Sequence, residues 1–93
     1  MQTLASLVTW YLERCQQEKQ LSPHTIRAYR TDLEQFLIFI GDETVNKELL
    51  SRYVRYVNQN FSPRSAKRKI ASIRAFYREL AVNDFVETDP FAK

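Results

Sequence analysis

Ninety-three residues, 44% hydrophobic and 27% charged, with one Gly, one Cys and one His, describe a single small folded domain and exclude most catalytic centres. A single Cys15 rules out a disulfide framework, Cys15 and His24 together cannot furnish a zinc site, and one Gly cannot build a phosphate-cradling loop, so no cofactor and no metal are expected. The net charge of +3 is unevenly placed: residues 62–82 hold six cations against Glu79, a net +5, while the other eight cations and ten acids leave −2, and so concentrated a positive segment points to a polyanionic partner.

The first apolar series is Leu4, Leu7, Val8, Tyr11, Leu12 and Cys15, whose alternating intervals of three and one are helical period. Trp10 lies off this stripe and is expected at its edge or against another segment. Cys15 lies on it and reads as a small buried hydrophobe. Glu13, Arg14, Glu18 and Lys19 interrupt the N-terminal region, and no apolar run approaches the ~20 residues of a membrane span. A cytoplasmic protein without membrane contact is the resulting expectation.

A second helix opens at Ser22-Pro23, a capping side chain followed by the residue whose missing N–H costs nothing at the first helical position. Ile26, Tyr29, Leu33, Phe36, Leu37 and Ile40 follow at helical spacing, and Gly41 stands where a C-cap needs positive φ. Asn46 can cap a third, shorter helix carrying Leu49, Leu50, Tyr53, Val54 and Val57 and fading near Asn58–Asn60. The fourth repeats the Ser-Pro opening at Ser62-Pro63 and runs through Ala66, Ile70, Ile73, Tyr77 and Leu80. Asn83-Asp84 then reads as a turn, Phe85 and Val86 dock back on the core, and Asp89-Pro90 begins an extended exit. No segment alternates like a strand. The fold class is all-α, four main helices around one core.

The two Ser-Pro openings give a faint echo, Leu21–Arg27 against Phe61–Lys67, which reads as two helices using the same good start. Placing the fourth helix on a wheel with its apolar stripe down leaves Arg64, Arg68, Ala71, Ser72, Ala75 and Glu79 on the opposite face. Lys67, Arg74 and Arg78 fall along one flank, and Lys69 lies beyond the other edge. Small residues between cations suit a helix entering a major groove, where slim side chains approach base edges and basic ones reach phosphates. A merely solvated helix would mix signs more evenly. The second helix exposes His24, Arg27, Ala28, Thr31 and Gln35, and its N-terminus offers free N–H groups to a phosphate; Asp32 and Glu34 weaken that signal.

The remaining candidates have plainer readings. No nucleophile–base–orienter set can be assembled around His24, so a surface or phosphate-contacting role suits it better than catalysis. Tyr11, Tyr29, Tyr53 and Tyr77 lie on apolar stripes and belong to the core. Asp84, Glu87 and Asp89 read as a solvated tail.

Leu21-Ser22-Pro23-His24-Thr25-Ile26-Arg27-Ala28-Tyr29, followed by Asp32-Leu33, resembles the second helix of the N-terminal domains of tyrosine recombinases, the lambda-integrase and Xer family. Ser65-Ala66-Lys67-Arg68-Lys69-Ile70-Ala71-Ser72-Ile73-Arg74-Ala75-Phe76-Tyr77 is similar to that family's basic Ser-Ala-Arg-Arg-Leu-Ser-Ala-Ile-Arg-Ser-Phe-Tyr pattern. Asp89-Pro90-Phe91 stands where the family has Asn/Asp-Pro before its interdomain linker. The resemblance implies a SAM-like core-binding domain of orthogonal helical hairpins over residues 1–88, with 89–93 starting the linker to an absent catalytic domain. It implies double-stranded DNA as partner, gripped at a recombination half-site with the second and fourth helices at the major groove, and other recombinase protomers in the full-length protein; no small-molecule substrate is expected.

The family's catalytic Arg–Lys–His–Arg–His/Trp set and its tyrosine nucleophile belong to the C-terminal domain, so no residue of this chain inherits catalysis. The expected DNA-binding set is Arg64, Ser65, Lys67, Arg68, Ser72, Arg74 and Arg78 on the fourth helix, with His24, Thr25, Arg27 and Thr31 on the second. Two other readings compete. A helical protein–protein interaction module of SAM or death-domain type would show an exposed apolar patch near Trp10 or Ile38. A stand-alone helix-turn-helix repressor needs a three- or four-residue turn, which neither Gly41–Asn46 nor Asn58–Phe61 supplies well.

Overall fold

Each helix of the computed structural model, which describes residues 3–91, starts at a side chain able to cap it. Helix α1 spans Leu4–Gln17, α2 Pro23–Ile40, α3 Lys47–Asn60 and α4 Pro63–Val82, and no strand occurs among the described residues. The expected caps Ser22, Asn46 and Ser62 accept hydrogen bonds from the backbone N–H groups of Thr25, Leu49 and Ser65. A fourth, Thr3, forms a reciprocal box with Ser6, each side chain accepting from the other's backbone N–H at 3.1 Å. Such a cap is worth ~1 kcal/mol, enough to fix where each helix starts. Gly41 closes α2 at φ +54° and ψ −121°, a combination glycine alone adopts without strain, and its N–H donates to the Leu37 carbonyl at 3.1 Å.

Helices α2 and α4 form the central pair, since each packs against the other three, whereas α1 and α3 do not touch each other. Leu33 and Phe36 from α2, Ile73, Phe76 and Leu80 from α4, Val57 of α3 and Cys15 of α1 are all fully buried in one core cluster. Edge-to-face aromatic pairs tie the layers: Tyr11 to Phe76 at 5.4 Å, Phe36 to Tyr53 at 5.0 Å and Phe36 to Tyr77 at 6.2 Å. Tyr11, Tyr53 and Tyr77 are therefore core residues and Tyr29 is half-buried beside Tyr11. Burial pushes the hydroxyls of Tyr11 and Tyr77 far up, and that of Tyr53 to about 12, so all three stay protonated.

The chain after α4 partly departs from its expected course. Asn83 caps the helix, Asp84 turns with φ +62°, and Phe85 packs edge-on to Trp10 at 4.8 Å, the other segment against which Trp10, off its own stripe, is placed. Asp89-Pro90 does not lead straight outward. Asp89 Oδ1 accepts a hydrogen bond from the Phe91 N–H at 2.9 Å, folding the chain so that the Phe91 ring lies 6.0 Å from Tyr77 and beneath the Arg74 guanidinium at 5.6 Å. Of the segment 89–93 read as the start of a linker, residues 92–93 lie outside the described part. No described helix is long and apolar enough to cross a membrane.

Candidate nucleic-acid interface

Because α4 is covered by α1, α2 and α3, its buried arc is wider than its aliphatic stripe and includes Phe76, Lys69 and Ser72. At 100° per residue, adding these three turns the solvent-facing arc by roughly 30° from the position implied by Ala66, Ile70, Ile73, Tyr77 and Leu80 alone. The exposed arc is Arg64, Lys67, Arg68, Ala71, Arg74 and Arg78, with Ala75 half-buried at its margin. Lys67, Arg74 and Arg78, expected on a flank, now belong to it, with Ala71 at its middle, Arg78 beside that and Arg74 at one edge. Ser72 and Glu79, expected on the face, are turned inward.

Ser72 is thus corrected as a surface hydrogen-bonder. It is 3% exposed and its hydroxyl donates to Asp32 Oδ2 at 2.9 Å. Glu79 receives Arg14 Nε of α1 at 2.7 Å and Lys19 Nζ at 3.4 Å, which closes the α1–α4 seam. Burial alone would raise the Glu79 carboxyl, but the Arg14 hydrogen bond and the Lys19 charge outweigh it and hold the group below the ordinary glutamate range.

The centre of the arrangement is Asp32 on α2, fully buried. Four donors from α4 converge on its two oxygens: Arg68 Nε at 3.1 Å and Nη2 at 2.9 Å, Lys69 Nζ at 3.2 Å, and the Ser72 hydroxyl. Lys69, only 3% exposed, also donates to Gln35 Oε1 and sits 4.6 Å from the centre of the Phe61 ring. A buried carboxylate survives only when its lone pairs are satisfied in this way, and removing one partner of such a pair costs ~3–5 kcal/mol. Asp32 therefore does not dilute a positive surface, as its sequence neighbourhood suggested. It lies beneath the surface and pins α4 to α2.

Other residues of the expected set are placed as follows. His24, Arg27 and Thr31 lie on the exposed arc of α2, where the Thr31 hydroxyl donates to the Arg27 carbonyl at 3.1 Å. Thr25 is half-buried and its Oγ1 accepts from the Ser22 hydroxyl at 3.0 Å, so it serves the cap. Ser65 is half-buried as well, its N–H bound to Ser62 at 3.3 Å. Arg30, not among the expected residues, is exposed on the α1 side of α2. Arg27, Arg30, Arg64, Lys67, Arg74 and Arg78 pair with no carboxylate among the described residues, whereas Arg14, Lys19, Arg52, Arg68 and Lys69 do. Lys47 and Arg55 of α3 are likewise exposed and unpaired among the described residues, so the free cations are not confined to one face, but those of the α2 and α4 arcs form the longest row, joined at the seam by Arg68.

Residues 8–83 match the family model described as phage integrase, N-terminal SAM-like domain. Among curated relatives, the chain is 38% identical over its whole length to a tyrosine recombinase of Agathobacter rectalis, covering 31% of that protein. It is 34% identical, again over its whole length, to tyrosine recombinase XerC of Oceanobacillus iheyensis, covering 33% of it. It is 37% identical over 97% of its length to tyrosine recombinase XerC of Pelobacter propionicus, covering 32%. The chain thus spans about a third of the length of these relatives. No solved structure matches it. An all-α, four-helix chain matched over most of its length by this model, and by tyrosine recombinases at 34–38% identity, belongs to the phage integrase N-terminal SAM-like domain family.

Proposed function

We propose that this domain grips duplex DNA at a recombination half-site and positions a tyrosine recombinase there, contributing hold and not chemistry. The observation that carries the reading is the row of unpaired cations on the exposed arc of α4, Arg64, Lys67, Arg74 and Arg78, with Ala71 among them. Their side chains reach phosphates on either side of a slim helix face, and His24, Arg27 and Thr31 of α2 extend the same footprint. The half-buried Thr25 and Ser65 support the two helix starts, whose free backbone N–H groups suit a phosphate. Residues 1–88 form the gripping domain and 89–93 lead toward the catalytic part of a longer recombinase, whose other protomers share the site. Work on chromosomal or phage DNA sets it in the cytoplasm.

The interaction-module reading has less behind it. Trp10 is occupied by Phe85, and Ile38 on α2, 82% exposed, is with Tyr56 and Val82 one of three exposed large apolar side chains, each on a different helix and of a kind common on folded proteins. The test is a titration of labelled duplex across a salt series. The expected affinity falls steeply with salt, and replacing both Arg64 and Arg78 by Ala flattens the log–log slope by about 0.9 for each phosphate no longer neutralised, with stability unchanged within about 0.5 kcal/mol. Binding that ignores salt, or no binding, would overturn the proposal.

A further inference from the structure

Arg68 differs from the other cations of its face. Among the described residues, Arg64, Lys67 and Arg78 have no hydrogen-bonding or ionic partner and Arg74 rests on an aromatic ring, but Arg68 is held by a carboxylate through two hydrogen bonds. Both bonds use one edge of the guanidinium, Nε and one hydrogen of Nη2. The other edge, formed by Nη1 and the second hydrogen of Nη2, has no partner among the described residues, and the side chain remains 49% exposed. That free edge presents two parallel N–H donors, the geometry that matches O6 and N7 of guanine in the major groove.

The Asp32 side of the pair is fixed as well. It is fully buried and also held by Lys69 and Ser72, so the guanidinium is referred to the packed α2–α4 seam and not to a flexible stem. Lys69 already opposes the carboxylate charge at 3.2 Å, so the cluster of one acid and two bases keeps a net positive charge facing outward. A phosphate contact needs only a charge that can swing, which the unpaired neighbours supply. An oriented fork beside Ala71 suits the recognition of a base edge. We infer that Asp32 is a positioning residue and Arg68 a specificity-determining one, the pair reading a guanine in the major groove. This inference rests on the DNA-binding reading above.

The experiment selects duplexes from a randomised pool with the 93-residue chain, then measures affinity for the selected duplex and for variants of it. One position should carry guanine, and its replacement, or 7-deazaguanine there, should weaken binding about 5- to 150-fold, the equivalent of about 1–3 kcal/mol. R68K keeps the charge and loses the fork. It should bind with an unchanged salt slope and no preference at that position, and 7-deazaguanine should cost it nothing. D32N, checked for folding by its melting curve, should lose the same preference while Arg68 is intact; R68K carries the test if D32N does not fold. Two results overturn the inference: a guanine preference that survives in R68K, or a uniform loss of affinity in R68A with a slope lower by about 0.9, the mark of a phosphate contact. Absence of any salt-dependent duplex binding by the unaltered chain would instead remove the DNA-binding reading itself.

Discussion

Helices α2 and α4 open with the same two residues, run side by side through the middle of the domain, and each shows one arc to solvent. Their charge is nevertheless unlike: α2 balances Arg27 and Arg30 against Asp32 and Glu34, while α4 sets six cations against Glu79. The difference is resolved at the seam. The one acid that α2 buries takes up charge from the two cations of α4 nearest to it, and the cations farther round α4 are left for something outside the molecule. A common local design thus yields one helix that anchors and one that is available.

The seam gives the largest effect with which to break this comparison. Asp32→Ala should cost about 3–5 kcal/mol in urea unfolding, because Lys69 is left buried without its counter-charge. Replacing the pair together, Asp32→Leu with Lys69→Met, should lose much less than the single change. A double variant as unstable as the single one would show that shape, and not charge, is what α4 needs from α2.

Glu79 tests the equivalent attachment of α4 to α1. Its carboxyl is held below its ordinary value in the folded chain, so its contribution is complete above the unfolded glutamate value of about 4.3 and is lost as pH falls through the lower folded value. Glu79→Gln should therefore cost about 1–2 kcal/mol near neutral pH, and the gap should close as the solution is acidified below about pH 4. Unfolding curves at several pH values check this; a gap independent of pH would assign Glu79 to packing.

The smallest effects sharpen the likeness between the two helices. Ser22→Ala and Ser62→Ala should each cost about 1 kcal/mol and should add when combined, since each cap accepts only from its own helix and the two share no partner. Thermal melts of the two single variants and the double variant would show whether the shared opening has a shared energetic value.

What could be read before folding follows from the range of the interactions involved. Ser22-Pro23, Asn46, Ser62-Pro63 and Gly41 act on their own or adjacent turns, the first three starting helices and Gly41 ending one where the sequence places them. The orientation of α4 depends on a residue forty positions away. On a wheel, Ser72 falls on the solvent-facing side and Lys69 just beyond its edge, and only Asp32 arriving from α2 makes the burial of both favourable. For the same reason the basic stripe was visible and its axis was not. The return of Phe91 was hidden likewise, since it depends on Tyr77 and Arg74 being within reach.

Cys15, the chain's only thiol, is fully enclosed where α1 meets the central pair, and burial, against the weaker pull of Lys19 and Arg14, pushes its ionisation up. An alkylating reagent can reach the thiolate only while α1 stands away from α2 and α4. The speed at which the chain takes up such a label is then a clock for that opening, with no second cysteine to blur it. Because the sulfur lies far from the exposed arc of α4 in the sequence and inside the core, one stopwatch would serve for the chain alone and for the chain with duplex present, and any slowing would measure how much binding holds the helices shut.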